Sequence, residues 1–158
     1  GIGEAICASG MLVSSLWLGA RGLKGGYIRT LSASLFAAGL CMAGFAWQEN
    51  IVSVCLFGFL FFLALPFANN CLDCLVRRVI PGELQGRAWG MISFLSQMGY
   101  VAAYTLAGTC ADGLAATLQI SVGRGSALVI LIAGILLSVT ALCLLPLGPV
   151  RQLEKASA

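Results

Sequence analysis

Five long stretches of the chain carry no charged residue, and short stretches that contain charge separate them. These charge-free runs are 16 to 26 residues long: Ala5–Ala20, Thr30–Gln48, Asn50–Leu72, Ala88–Ala111 and Gly125–Val150. A helix needs about 20 apolar residues to cross the hydrocarbon core of a bilayer. Leucine and alanine dominate the runs, and the alternation that is typical of strands is absent. The pattern predicts an all-α membrane protein with five transmembrane helices, over about 2–20, 30–48, 51–76, 87–111 and 125–147.

The composition agrees with a lipid environment. Hydrophobic residues make up 59% of the 158 residues and charged residues only 9%, and the mean hydropathy is +0.98. A soluble domain carries roughly 25% charged residues, so this surface lacks the charge needed to face water. The absence of histidine removes the commonest metal ligand and general base. We therefore predict a protein of the lipid bilayer that is not an enzyme, with no metal, cofactor or nucleic-acid partner.

The basic residues lie almost entirely on one side of the predicted helices. The loop at 21–29, the loop near 77–87 and the tail from 148 hold eight of them: Arg21, Lys24, Arg29, Arg77, Arg78, Arg87, Arg151 and Lys155. The opposite side holds only Arg124. Short basic loops remain in the cytoplasm. We therefore predict a multi-pass protein of the cytoplasmic (inner) membrane, with its N-terminus outside and its C-terminus in the cytoplasm.

The third predicted span contains a proline followed by a group of polar residues. Pro66 interrupts the backbone hydrogen bonding of the helix, and Asn69, Asn70 and Asp73 follow within two turns. Polar groups inside a membrane are costly when they face lipid, so these side chains are expected to face other helices or a watery cavity. A local ion pair between Asp73 and Arg77, four residues apart, is the alternative role for the carboxylate.

The fourth predicted span carries a polar stripe along one helical face. Its members recur at spacings of four, three and four residues: Ser93, Gln97, Tyr100 and Tyr104. Near the start of this span, Gly86 and Gly90 form a small-x-x-x-small pair, which predicts close approach to a neighbouring helix. The alternative interpretation of the stripe is polar contact between helices, without any solute path.

The five spans differ in polarity. The first carries Glu4 near its outer end and three serines further in, whereas the second and fifth offer mainly hydroxyls that bond back to their own helix. The first, third and fourth spans are therefore predicted to be the walls of a cavity. The second and fifth are predicted to be supports that face lipid.

Cys71 and Cys74 form a Cys-x-x-Cys pair at the cytoplasmic end of the third span. A thiol oxidase pair is expected on the oxidising external side, and a zinc site needs two further ligands that the chain does not offer. The sequence favours two free thiols that pack as small apolar residues. A membrane thiol oxidoreductase that uses this pair, or a small membrane assembly subunit, is the alternative function.

The segment "ANNCLDCLVRRVIPGELQGRAWG", followed by "GTCADGL", resembles the C-terminal half of a major facilitator superfamily exporter. It is most similar to the drug or macrolide efflux and enterobactin-exporter branch. That branch has an asparagine-bearing helix, then a V-P-x-E-x-x-G-R loop, then a G-x-x-A-D motif. These motifs correspond here to Asn69 and Asn70, to Val79–Arg87 with Ile80 inserted, and to Gly108–Asp112.

The resemblance implies that the five spans are helices eight to twelve of a twelve-helix transporter. It further implies alternating access, in which proton entry drives export of a drug-like compound or siderophore, with the missing N-terminal half as a partner. The basic loop Gly19–Thr30 lacks the aspartate that is usual in the family. The candidate transport-path residues are Glu4, Asn69, Asn70, Asp73, Ser93, Gln97 and Tyr100. The candidate gating or structural residues are Pro66, Pro81, Gly86, Arg87, Gly90, Gly108 and Asp112.

Overall fold

A computed structural model describes residues 1–23, 26–48 and 50–144, and these residues form five α-helices and no strand. The helices are α1 (Ile2–Arg21), α2 (Tyr27–Trp47), α3 (Ile51–Val79), α4 (Gly82–Leu118) and α5 (Val122–Leu144). The predicted all-α membrane fold is confirmed. Three of the basic residues used for the orientation, Lys24, Arg151 and Lys155, lie outside the described residues. The end of the fifth predicted span, 145–147, lies outside them as well.

Four of the helices, α1, α2, α3 and α5, are long and apolar enough to cross a membrane. The fourth, α4, is the longest at 37 residues, but glycine, serine, threonine, glutamine and charge lower its hydropathy. It begins at Gly82, one turn before the predicted start near Arg87, and continues to Leu118. That α4 also crosses the membrane stays a prediction.

The helix ends show how the short connections are made. Gly22 and Gly26, with φ of 65° and 67°, lie in the left-handed region that other residues rarely adopt, and they flank the α1–α2 connection. The Asn50 side chain accepts a hydrogen bond from the Val52 backbone N–H (3.1 Å) and so caps the start of α3. Pro81 precedes the first residue of α4, where a missing N–H costs nothing.

The helices contact one another in the order α1, α3, α2, α5 and α4. Consequently α2 lies in the middle. It has seven buried residues, more than any other described helix. The prediction that α2 is a lipid-facing support is wrong. Its hydroxyls were expected to bond back to their own helix, as Ser34 does to the Leu31 carbonyl, but the Ser32 hydroxyl donates to the Ala141 carbonyl of α5.

The contact between α2 and α5 depends on two glycines. A Cβ added at Gly39 would lie 2.6 Å from the Gly134 carbonyl oxygen, and one added at Gly134 would lie 2.7 Å from the Gly39 carbonyl oxygen. Ala38 and Ala141 beside this crossing are almost completely buried. The two backbones therefore touch directly, as small residues permit in membrane helices.

A second close contact joins α1 to α3, which run parallel. A Cβ at Gly10 would lie 2.5 Å from the Phe59 carbonyl oxygen, so the two backbones also approach closely here. Two turns further along, the rings of Trp17 and Phe67 pack with their centroids 5.7 Å apart. These pairs set the register between the two helices.

In contrast, α4 lies at the edge and packs against α5 alone to any substantial extent. The contact is near the C-terminal end of α4, where Ala111 and Ala115 meet Gly125. Every residue from 91 to 110 is exposed. Among the described helices the polar stripe of α4 therefore finds no surface to pack against, and the prediction that α1, α3 and α4 are the walls of a cavity stays a prediction. Likewise, Gly86 and Gly90 have open space where a Cβ would stand.

Replacement of Gly39 by alanine is expected to destabilise the α2–α5 pair. The added methyl group would overlap backbone atoms of Gly134 and Ser138, and overpacking of this kind costs about 1–3 kcal/mol. The matched control is Gly99→Ala in α4, where nothing lies within 4 Å and where alanine is the better helix former. The midpoint of unfolding, measured by titration of detergent-solubilised protein with dodecyl sulfate, checks both variants. Equal midpoints for the two variants would contradict the close crossing.

Candidate functional site

The polar group of α3 lies on exposed surface. The helix continues through Pro66, which has no N–H to donate to the carbonyl one turn earlier. Asn69, Asn70 and Asp73 are all exposed. Within the described residues, Asp73 and Arg77 form no ion pair. The local pairing that would have given the carboxylate a purely structural role is therefore not made.

The register of α1 against α3 gives the depth of this group. Trp17 is level with Phe67, so Arg21 at the end of α1 is level with about Cys71. From there to Val79, α3 extends about 12 Å past the end of α1, at 1.5 Å per residue. Asn69 and Asn70 are therefore level with the last turn of α1, and Asp73 lies just beyond it, towards the predicted cytoplasmic side.

The polar stripe of α4 begins at a similar depth. Ser93 is about 17 Å along α4 from Gly82, and Asn69 is about 15 Å along α3 from Val79. Gln97 and Tyr100 continue the stripe away from this level. All the members are exposed, with Tyr100 at 58% and Tyr104 at 79%. Ser93 and Asn69 are thus at similar distances from the α3–α4 turn, although α3 and α4 do not pack against each other along this length.

The turn between α3 and α4 is held by a side chain from α4. The Gln85 amide donates to the backbone carbonyls of Arg77 (3.3 Å) and Ile80 (3.2 Å). These carbonyls belong to the end of α3, where no N–H of the helix reaches them. Gln85 therefore ties the start of α4 to the end of α3 around Pro81.

The remaining gating candidates have few neighbours among the described residues. Arg87 is exposed and forms no ion pair there. Gly108 has open space around it, and Asp112 is exposed within α4, six residues before the helix ends. A role in holding a closed conformation requires a surface beyond the described residues, so this assignment stays a prediction.

Glu4 lies far from the polar group of α3. It is in the N-terminal part of α1, 13 residues before Trp17, which corresponds to about 20 Å along the helix. There it lines a cavity of about 520 Å³ between α1, α2, α3 and α5. The other lining residues are apolar or weakly polar, including Cys7, Cys55, Phe45, Phe61 and Phe62. Glu4 is therefore placed apart from the polar group of α3.

The two cysteines of the Cys-x-x-Cys pair have different surroundings. Cys71 is completely buried and packs with Leu31 and Ala68 in the core between α2 and α3. Cys74 is half-buried, and its thiol donates to the Asn70 side-chain oxygen at 3.6 Å. All seven cysteines of the described residues are free thiols, and no described group of three or more ligating side chains is arranged to hold a metal ion.

Two arginine–aromatic pairs at the C-terminal ends of α1 and α3 were not predicted. The Arg78 guanidinium lies 4.7 Å from the Tyr27 ring centroid and donates to its hydroxyl (3.2 Å), which joins α3 to α2. Arg21 lies over Trp17 at 5.6 Å. The second pair had a local signal, because residues four apart on a helix are neighbours. The first joins residues 51 apart in the sequence, so it follows only from the packing.

Comparisons with known proteins identify no relative. No family model, no curated protein and no solved structure matches the chain.

Alkylation of single-cysteine variants tests the environment of the Cys-x-x-Cys pair. Cys71 is expected to react with N-ethylmaleimide much more slowly than Cys74 in folded protein, since its thiol has no exposed surface. Both should react at similar rates after denaturation in dodecyl sulfate. Mass spectrometry of the labelled peptides measures the rates. In the wild-type chain, a Cys71–Cys74 disulfide that forms and reopens with the redox potential would contradict the packing role and favour the oxidoreductase.

Proposed function

We propose that the chain is part of a secondary active transporter that exports a small organic molecule by alternating access. The substrate class is a drug-like compound or a siderophore, and proton entry drives export. The chain supplies five helices of one bundle, and the rest of the transporter supplies the other side of the solute path. In the cytoplasmic membrane, α1 begins outside and the α3–α4 turn lies in the cytoplasm.

The observation that carries this proposal is the exposure of polar side chains on helices of a membrane protein. Asn69, Asn70 and Asp73 on α3, and Ser93 and Gln97 on α4, are exposed. Amides and carboxylates that face lipid are expensive, and in membrane proteins they generally mark solute paths or partner surfaces. A solute path between these side chains and a further helical bundle would keep them away from lipid and would also provide a partner surface.

The exposure of α4 supports a missing partner. Twenty consecutive residues, 91–110, are exposed, and this helix has the lowest mean hydropathy of the five. A helix that is both unpacked and comparatively polar is poorly suited to a purely lipid environment. The N-terminal half of a transporter would cover this surface and complete the site between the two halves.

The depth of the α3 group suggests a division of roles along the path. Asp73 lies near the predicted cytoplasmic end, where it would meet cytoplasmic substrate or release a proton on the inner side. Tyr100 and Tyr104 lie deeper along α4 and present exposed rings, on which an aromatic or amphipathic substrate would stack. The motifs around Asn70, Pro81 and Arg87 resemble those of the exporter branch, which favours export over uptake.

Replacement of Asp73 by asparagine in the intact transporter tests the proposal. The amide is close in shape but neither carries a charge nor releases a proton, so we expect proton-driven efflux of ethidium and of the macrolide erythromycin to be lost. The matched control is Glu83→Gln, a carboxylate on the same side in the first turn of α4. Membrane abundance of each variant is measured by immunoblot alongside efflux from energised cells.

The two variants give distinguishable outcomes. Normal abundance with lost efflux for Asp73→Asn, and retained efflux for Glu83→Gln, would support the assignment. Unchanged efflux for Asp73→Asn would return that carboxylate to a structural role. If neither probe is exported above the level of cells without the gene, at normal abundance, the drug-like part of the proposed substrate class is contradicted.

A further inference from the structure

A cavity of about 690 Å³ opens at the inner end of α1, between α1, α2 and α3. It lies about 20 Å from the Glu4 cavity along α1. Its lining combines one cation, one hydroxyl and an aromatic wall: Trp17, Ala20, Arg21, Gly22, Leu23, Thr30 and Phe67. The mixture differs from that of the outer cavity, where the aromatic residues surround a carboxylate.

The cation of this cavity is available to a ligand. The central carbon of the Arg21 guanidinium lies over the Trp17 ring, 5.6 Å from its centroid. Arg21 forms no ion pair with any carboxylate of the described residues. Stacking on a ring leaves the N–H groups at the edge of the guanidinium free, and their fork geometry fits two oxygens of a phosphate.

A second polar group faces the same space. Thr30 lies in the first turn of α2 and lines the cavity. Its backbone N–H bonds to the Gly26 carbonyl (2.9 Å), whereas its hydroxyl makes no hydrogen bond with the described residues. A hydroxyl donates one hydrogen bond, so Thr30 adds a donor to those of Arg21.

The apolar part of the cavity continues into the membrane. The rings of Trp17 and Phe67 pack at 5.7 Å with an interplanar angle of 51°, and they form a wall directly on the membrane side of Arg21. Trp17 is 47% exposed, so this wall is open to the surrounding lipid. Tryptophan at such a position is typical of the boundary between hydrocarbon and headgroups.

We propose that this cavity binds an anionic phospholipid of the cytoplasmic leaflet. The headgroup phosphate accepts hydrogen bonds from the Arg21 guanidinium and the Thr30 hydroxyl, and an acyl chain lies along Trp17 and Phe67. Basic pockets between membrane helices on the cytoplasmic side are suited to such headgroups. Two exposed basic residues of that side, Arg29 and Arg77, attract the anionic lipid to the surface without lining the cavity.

The aromatic wall distinguishes a lipid from a free anion. Inorganic phosphate would use Arg21 and Thr30 but would leave the apolar surface of Trp17 and Phe67 exposed. A lipid covers both parts at once. A zwitterionic lipid also carries a phosphate, but its positive choline group opposes Arg21, so an anionic headgroup is preferred.

Fluorescence quenching tests this site, because Trp17 forms its wall. Trp47 and Trp89, the other two tryptophans, are replaced by phenylalanine. The full chain is reconstituted in vesicles of phosphatidylcholine that contain either brominated phosphatidylglycerol or brominated phosphatidylcholine. We expect Trp17 to be quenched at about fivefold lower mole fraction of the brominated phosphatidylglycerol, which corresponds to one basic residue near an anionic surface.

Two variants and one competitor separate the possible outcomes. Arg21→Gln, and Thr30→Val to a smaller degree, should reduce the preference, whereas Arg29→Gln on the same side should retain it. Equal quenching by the two lipids in the protein with native Arg21, or an unchanged preference in Arg21→Gln, would overturn the proposal. If millimolar inorganic phosphate relieves the quenching by phosphatidylglycerol, the site binds a free anion and the lipid assignment is overturned.

Discussion

The close approach of small residues at helix crossings is the constraint on which the rest of the structure depends. In a bilayer, lipid tails are as apolar as leucine, so helices gain little from burying apolar side chains against one another. Helix association therefore depends on close van der Waals contact between backbones, which requires small residues such as glycine at the crossing. Gly39 with Gly134, and Gly10 with Phe59, provide such contacts. The order of the helices follows from these crossings, with α2 held between α3 and α5.

The same constraint explains why α4 differs from the other helices. Its contact with α5 uses Ala111, Ala115 and Gly125 near one end, and the rest of its length has no such crossing among the described residues. Exposed side chains on the remainder include the hydroxyl, amide and phenol groups of its stripe. Most of α4 lacks a packing partner, and its exposed side chains include polar groups. This lack of a partner, rather than any enclosed site, is the main reason to expect a further helical bundle beside α4 and a solute path between the two.

The presence and approximate extent of the helices were predictable, because the spacing of charged residues and the absence of alternation can be read from each segment by itself. The neighbours of each helix were not. Ser32 was expected to bond within its own helix, yet it donates across to Ala141. Polarity suggested that α2 faces lipid, but Gly39 places it at the centre, and only the match with Gly134, 95 residues away, reveals this. The polar residues of α3 and α4 could be chosen from the sequence, whereas the separation of the α3 group from Glu4 follows from the register between α1 and α3.

The most direct measurement determines on which side of the membrane each end of α4 lies. This helix has the lowest mean hydropathy of the five. Single cysteines at Glu83 and Gln119, in a chain whose seven native cysteines are replaced by alanine, are labelled with a membrane-impermeant maleimide in intact cells and in inverted vesicles. We predict labelling of the Gln119 position in cells and of the Glu83 position in inverted vesicles. Labelling of both positions from one side would contradict it, because α4 would then not span the bilayer.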